Sequence, residues 1–200
     1  FPYVNMLLIV ANLSFFIAYC SMSGTQTAAL LQQYGFYPNQ FQFFKINLFF
    51  SLFLHLDIWN LLFNLYFLWI LGDNLEDRMG SLTYLVFYLF CGMVGSLVFY
   101  QCNPQLNTLI VGATGAISGL MAAYIYIFPR AKFLSVIFFY PLKTPVWGLF
   151  LVWILLQIIL FFVGHPSVAF SGIFGSFLTG LILSFLFVHK FEPAEEIKKD

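Results

Sequence analysis

Apolar residues run through this chain in long blocks separated by short polar stretches. Six of the blocks reach or approach the ~20 residues that a helix needs to cross a bilayer. They lie at roughly 4–20, 56–79, 82–100, 113–128, 145–163 and 168–188. The pattern predicts an all-α membrane protein of six transmembrane helices. The fourth block is the shortest and begins in a glycine-rich stretch after "QCNPQLNTLIV", so its N-terminus is expected below the membrane surface. Irregular backbone at that depth is tolerated only where protein or a wet cavity surrounds it, which predicts a buried polar cavity beside Thr114. Segment 21–55 is too long for a simple connection and, with "FQFFKINLFFSLFLH", too apolar to be solvated. It is expected to dip into the outer membrane interface as an amphipathic stretch.

Composition agrees with the pattern. Of 200 residues, 62% are hydrophobic and 8% charged, and the mean hydropathy is +0.91, too much apolar surface for one water-soluble core. The net charge of zero argues against a nucleic-acid partner. Arg78, Arg130, Lys132, Lys143, Lys190, Lys198 and Lys199 fall on one side of the six-block arrangement and Lys45 alone on the other. That asymmetry places both termini in the cytoplasm, and a bacterial inner membrane is the expected location. The first apolar block lacks the small-residue cleavage site of a signal peptide and is expected to be a retained span. There is no internal repeat, so residues 1–189 are expected to form one membrane domain and 190–200 a charged cytoplasmic tail. Cys20, Cys91 and Cys102 form no CxxC pair and no metal spacing. Packing roles are preferred to a Cys20–Cys102 disulfide, and neither a metal nor a cofactor is expected.

Few polar residues interrupt the blocks, and these carry the chemical information. Asn60 and Asn64 are four apart and share a helical face. Two amides facing one way in lipid must point into the bundle, bonding a neighbouring helix or lining a cavity. His55, at the outer end of the same block, reads by itself as a solvated cap. Asp73, Glu76, Asp77 and Arg78 cluster at the inner end, where Glu76 and Arg78 are expected to bond local backbone or one another as an anchor. Gly112, Gly115 and Gly119 in one block, and Gly172, Ser176 and Gly180 in the last, recur at the three- and four-residue spacings that let helix backbones approach.

Three segments, "FLHLDIWNLLFNLYFLWILGDNLEDRMG", "GATGAISGLMAAY" with "FPRAK", and "SVAFSGIFGSFLTGLIL", resemble the second, fourth and sixth membrane helices of the rhomboid family of intramembrane serine proteases. The resemblance covers nearly the whole chain and implies a six-helix rhomboid-like bundle, with segment 21–55 as the family's interfacial loop between the first two helices. Phe44-Lys45 stands where many members have Trp-Arg. In active members the motif is Gly-x-Ser-Gly with Ser as nucleophile; here that position is Thr114. Aligning the sixth helix on Gly175, Ser176, Phe177 and Gly180 puts Ile173 at the place of the catalytic His. The second helix of active members carries His-x-x-x-x-His-x-x-x-Asn, whose inner His and Asn help hold the oxyanion. This chain has His55, Asn60 and Asn64 there, an oxyanion-like polar cavity with one His replaced.

A hydroxyl of ordinary pKa must give its proton to a positioned base as it attacks, and Ile173 accepts nothing. Threonine nucleophiles typically use their own N-terminal amine, whereas Thr114 is internal to a helix and carries a methyl that crowds the attack position. Substitute bases are few. His189 is excluded by topology, and His55 or His165 serving Thr114 or Ser118 is the minor alternative. The expectation is a rhomboid-like pseudoprotease that binds transmembrane segments of client proteins or partner subunits. Such a protein would work in quality control, in trafficking or within a membrane assembly. Client entry is expected beside the second and fifth spans, where Trp147 and Trp153 either form a pliable gate or face lipid. The rivals are an active protease using Thr114 with a displaced base, and a channel subunit, which the lack of intramembrane charge disfavours.

The charge asymmetry makes the topology testable. Single cysteines at positions 131 and 195 are expected to react with an impermeant thiol reagent only from the cytoplasmic side, and those at 39 and 105 only from outside. The reverse pattern, or an odd number of crossings, overturns the six-helix arrangement.

Overall fold

Tyr3–Ser21 is apolar at nearly every position and has neither glycine nor proline, so nothing interrupts helix α1. The computed structural model describes residues 2–40, 46–137, 140–162 and 169–187. After α1 come α2 (Gly24–Tyr34), a 3-10 turn (Pro38–Gln40), α3 (Asn47–Phe50) and α4 (Ile58–Phe67). A π-turn (Leu68–Gly72) joins α4 to α5 (Asp73–Met79), followed by α6 (Ser81–Cys102), α7 (Thr114–Ile127), α8 (Val146–Phe162) and α9 (Phe170–Phe187). Helices α1 and α4–α9 fall on the six apolar blocks, with α4 and α5 sharing the second, while α2 and α3 lie in segment 21–55. By length and composition α1, α6 and α9 suffice to cross a membrane, while α7 and α8 are shorter apolar helices. The bundle is helical as expected, but the connection after α7 adds an antiparallel hairpin. Its strands are β1 (Lys132–Ile137) and β2 (Tyr140–Pro145), with Lys132 opposite Pro145. The β-branched and aromatic content of "KFLSVI" supplies the propensity. The boundary expected at 189/190, together with His165 and His189, lies outside the described residues.

Helix α7 is the centre of the molecule. Every residue from Ala116 to Tyr124 is buried, and a helix apolar all round belongs in the interior. Its neighbours come very close. A Cβ on Gly180 of α9 would overlap the backbone of Gly119, and one on Gly119 would lie 2.5 Å from the Cβ of Cys91 on α6. Helices α6 and α9 meet the same way, since a Cβ on Gly172 would lie 2.8 Å from the Gly95 carbonyl oxygen. Two hydroxyls pin these contacts: Ser118 Oγ donates to the Ile173 carbonyl at 2.8 Å and Ser176 Oγ to the Cys91 carbonyl at 2.9 Å. Gly119 and Gly180, at this close approach, are among the residues singled out above by small-residue spacing. Gly95, which admits α9 against α6, is not among them.

The inner end of the second block is an anchor, though not a local one. The Glu76 carboxylate is buried and accepts from the backbone N–H groups of Val4 (3.1 Å) and Asn5 (2.7 Å) and from Ser81 Oγ (2.6 Å). It thereby caps the first turn of α1, where free N–H groups and the helix dipole favour a negative charge. The partners expected for Glu76 were neighbours in sequence, whereas those of α1 are more than 70 residues away. Gly80, at φ +80°, then ends α5 and turns the chain into α6.

Segment 21–55 packs onto the bundle at its end, where Ser51 to His55 are all buried. Phe36 pairs with Ile110 as an isolated bridge, and the Gly112 N–H donates to the Ser51 carbonyl at 2.8 Å. These bonds give the irregular backbone ahead of α7 partners within the protein. Cys20 and Cys102 are exposed free thiols and Cys91 is a buried one, so no disulfide joins them.

The tightest approach should be the least tolerant of added atoms. Gly180→Ala is expected to lower stability in detergent by about 1–3 kcal/mol through overpacking. Gly115→Ala is expected to cost less, because its Cβ would meet only the rotatable Ser176 hydroxyl at 3.0 Å. Equal melting-temperature losses for the two variants would contradict this seating of α7 on α9.

Candidate functional site

Asp57 starts the site. Its side chain accepts from the Asn60 N–H at 2.7 Å and caps α4, a role that short acidic side chains fill well. The expected cap, His55, is instead buried at 2% exposure. With the start of α4 set, Asn60 and Asn64 lie one turn apart on the face toward α7. The Asn64 carboxamide is the hub: Nδ2 donates to Asn60 Oδ1 at 2.9 Å and lies 3.0 Å from His55 Nε2. These two bonds use both amide hydrogens. The long 3.5 Å contact with Thr114 is therefore best read as the hydroxyl donating to Asn64 Oδ1.

His55 belongs to the outer segment ahead of α4. Its Nδ1 lies 3.3 Å from the Phe53 carbonyl, so the neutral tautomer with hydrogen on Nδ1 and a lone pair on Nε2 satisfies both neighbours. Burial pushes the imidazole down from its ordinary value to about 4, against smaller upward pulls from the Phe53 carbonyl and Asp57. The ring is neutral at pH 7, and its lone pair is committed to Asn64. Gly112 closes this side of the site. It holds φ +107°, and a Cβ there would come 3.1 Å from Asn60 Oδ1, so both the backbone and the space call for glycine.

Thr114 is the first residue of α7 rather than an interior one, and it is half-buried. It and Ile173, on the first turn of α9, line a single cavity of about 30 Å³ with Gly92, Gly95, Ser96 and Gly172. The volume suits one or two waters or a small group. The two positions at which the resemblance implies a nucleophile and a base thus line one cavity, and the one on α9, Ile173, carries a hydrocarbon side chain. Among the described residues the arrangement offers hydrogen-bond donors and acceptors but no base in contact with Thr114. Gly119, Ser176 and Gly180 belong to the packing beneath the site, Gly115 and Gly172 both pack the helices and line the cavity, and Gly112 belongs to the site itself.

Trp147 is 56% exposed, but Trp153 is buried, edge-on to Phe67 with ring centroids 6.4 Å apart. Trp153 therefore faces neither lipid nor water. The contact joins α8 to the end of α4. Asn5 and Asn12, both fully buried on α1, do not stand out by the spacings considered above. Their seven-residue separation in an apolar run was the available signal, since it places two amides on one face.

The sequence model of the rhomboid domain matches residues 42–190. Rhomboid protein 1, mitochondrial, of Saccharomyces cerevisiae is 32% identical over 126 residues, 60% of this chain and 36% of that protein. Rhomboid-like protein 11, chloroplastic, of Arabidopsis thaliana is 32% identical over 117 residues, 58% of this chain and 39% of its own length. Rhomboid protease GluP of Bacillus subtilis is 36% identical over 74 residues, 37% of this chain and 14% of its own. The chain thus spans well under half the length of each of these relatives.

Because the His55 imidazole binds a proton more weakly when folded than when unfolded, it disfavours the native state at low pH. This part of the stability is intact above pH ~6.5 and is lost as pH falls toward 4, by about 3 kcal/mol in the limit. His55→Gln, which can still accept from Asn64, is expected to flatten that portion of the melting-temperature profile. Parallel profiles for the two proteins would mean that His55 takes up its proton without disturbing the fold.

Proposed function

The chain belongs to the rhomboid family, and on that premise we propose that it is a pseudoprotease that binds transmembrane segments of other membrane proteins. The observation that carries this reading is that Thr114 and Ile173 line one small cavity. Attack by a hydroxyl needs a proton acceptor in hydrogen-bond reach. The family scaffold supplies the position for one, and this chain fills it with hydrocarbon. Loss of one dyad member typically leaves only the residual contribution of the oxyanion site.

What the site retains is suited to holding rather than cutting. Asn60, Asn64 and Thr114 form a cluster of amide and hydroxyl groups where an unpaired polar group costs several kcal/mol. A partly unwound client helix presents free backbone N–H and C=O groups that match it. Entry is proposed at the α4–α8 side, where the edge-on contact of Phe67 with Trp153 joins the two helices. The proposed setting is a bacterial inner membrane with six spans and both termini inside. Proteins of Bacillus subtilis are among the relatives, alongside the mitochondrial and chloroplastic ones. Quality control, trafficking or a place within a membrane assembly are the roles that fit a holding function, and this step rests on analogy with inactive rhomboid-like proteins.

The second reading is an active protease that uses Thr114 with a displaced base. It takes support from His55, which is neutral at pH 7 and connected to Thr114 through Asn64. The link is two hydrogen bonds long and the lone pair of the ring is occupied, so the pseudoprotease reading stands first.

The two readings separate experimentally. Serine-directed mechanism-based inhibitors are expected to leave the chain unmodified, and Thr114→Ser alone to restore nothing. Asn64→Leu should retain the fold yet lose crosslinks to co-expressed membrane proteins. Proteolysis by the unaltered protein that disappears on Thr114→Ala overturns the pseudoprotease reading. Full retention of crosslinks by Asn64→Leu would move the binding surface elsewhere, the outer segment 21–55 first.

A further inference from the structure

The second apolar block is not one regular helix. Between α4 and α5 the chain makes the π-turn Leu68–Gly72, which amounts to one extra residue in an α-helix. One residue of register is about 100° of rotation. The π-turn therefore sets how α4, bearing Asn60 and Asn64, is rotated relative to α5, which Glu76 ties to α1.

A single side chain spans this turn. Asn5 of α1 is fully buried, and its Nδ2 donates to the Leu68 carbonyl at 3.0 Å and to Asp73 Oδ1 at 2.6 Å. Leu68 is the first residue of the π-turn and Asp73 the first after it, so the two hydrogens of one carboxamide bridge its ends. Asn5 Oδ1 accepts from Tyr84 Oη at 2.8 Å and the Asn5 N–H donates to Glu76 Oε2 at 2.7 Å, which orients the amide. Gly72 has no side chain where this amide lies, and a Cβ there would overlap it. Leucine at position 5 would give Leu68 no donor and would crowd Gly72. A continuous α-helix through 58–79 would then be favoured, with α4 turned away from Gly112 and Thr114.

We propose that Asn5 is a positioning residue for the outer polar site: its carboxamide holds the π register of 68–72 and thereby directs Asn60 and Asn64 at Gly112 and Thr114. The geometric statement is independent of the proposed function. Only its consequence for client capture rests on that reading.

The test uses the full chain in lipid nanodiscs, with its native cysteines replaced and a nitroxide at position 62 on the exposed face of α4 or at position 77 on α5. Asn5→Leu is expected to reduce the oxygen accessibility of the label at 62 and to leave the label at 77 unchanged. Tyr84→Phe removes a partner of the same amide but neither of its donors, so it should lower stability without moving either label. Deleting Ile70 in the Asn5→Leu background takes out the extra residue, and should return the label at 62 to its native value. An Asn5→Leu protein whose label at 62 behaves as in Tyr84→Phe shows that Asn5 only packs, and overturns the proposal. Should Asn5→Leu fail to fold, the deletion must restore folding, and a double variant just as unstable overturns the proposal too. Client crosslinking is read alongside. A moved label with undiminished crosslinks would count against Asn60 and Asn64 as contact groups while leaving the clamp intact.

Discussion

The approach of α7 to α9 is the contact on which the rest of the molecule depends. In lipid, helices gain little from burying apolar surface against one another, so close backbone packing and hydrogen bonds across the interface carry the association. Gly119 and Gly180 bring the two backbones together, and the hydroxyls of Ser118 and Ser176 close bonds to main-chain carbonyls of α9 and α6. This seating places the first turns of α7 and α9 side by side. Thr114 and Ile173 consequently share a cavity whether or not any chemistry occurs there.

The second requirement follows from the same solvent. A polar group that cannot reach water must find a partner inside the protein, and the second apolar block meets this with one cluster at each end. At the outer end Asn64 bonds His55 and Asn60 and touches Thr114. At the inner end Glu76 and Asn5 tie α1 to α5 and α6. The π-turn lies between the two clusters. Unlike the α7–α9 contact, whose geometry is set by missing atoms, these clusters are set by directional bonds and so determine rotation as well as distance.

Family membership and the proposed loss of activity are compatible because they depend on different residues. The small residues of α6, α7 and α9 and the acidic anchor build the scaffold and remain in place. The chemistry needed two further side chains, one of them a base. With Thr114 and Ile173 at those positions the scaffold can persist, since Ile173 enters the α7–α9 contact through its main-chain carbonyl rather than its side chain.

Much of this was legible in the sequence. The apolar blocks marked the helices, because a segment that crosses hydrocarbon must satisfy its own backbone and so announces itself locally. The Asn60–Asn64 spacing and the small-residue faces were legible for the same reason, since each is a relation among neighbours in the chain, whereas positions 114 and 173 stood out only through the resemblance to the rhomboid motifs. Tertiary structure alone decided the remainder. His55 reads by itself as solvated until the backbone at Gly112 comes against it, and Trp153 reads as gate or lipid-facing until Phe67 comes against it. Glu76 reads as a local anchor until α1 arrives, and Gly95 is an unremarked glycine until α9 lies on it. In each case the partner is distant in sequence, and no periodicity within one helix encodes which other helix its polar or small residues will meet.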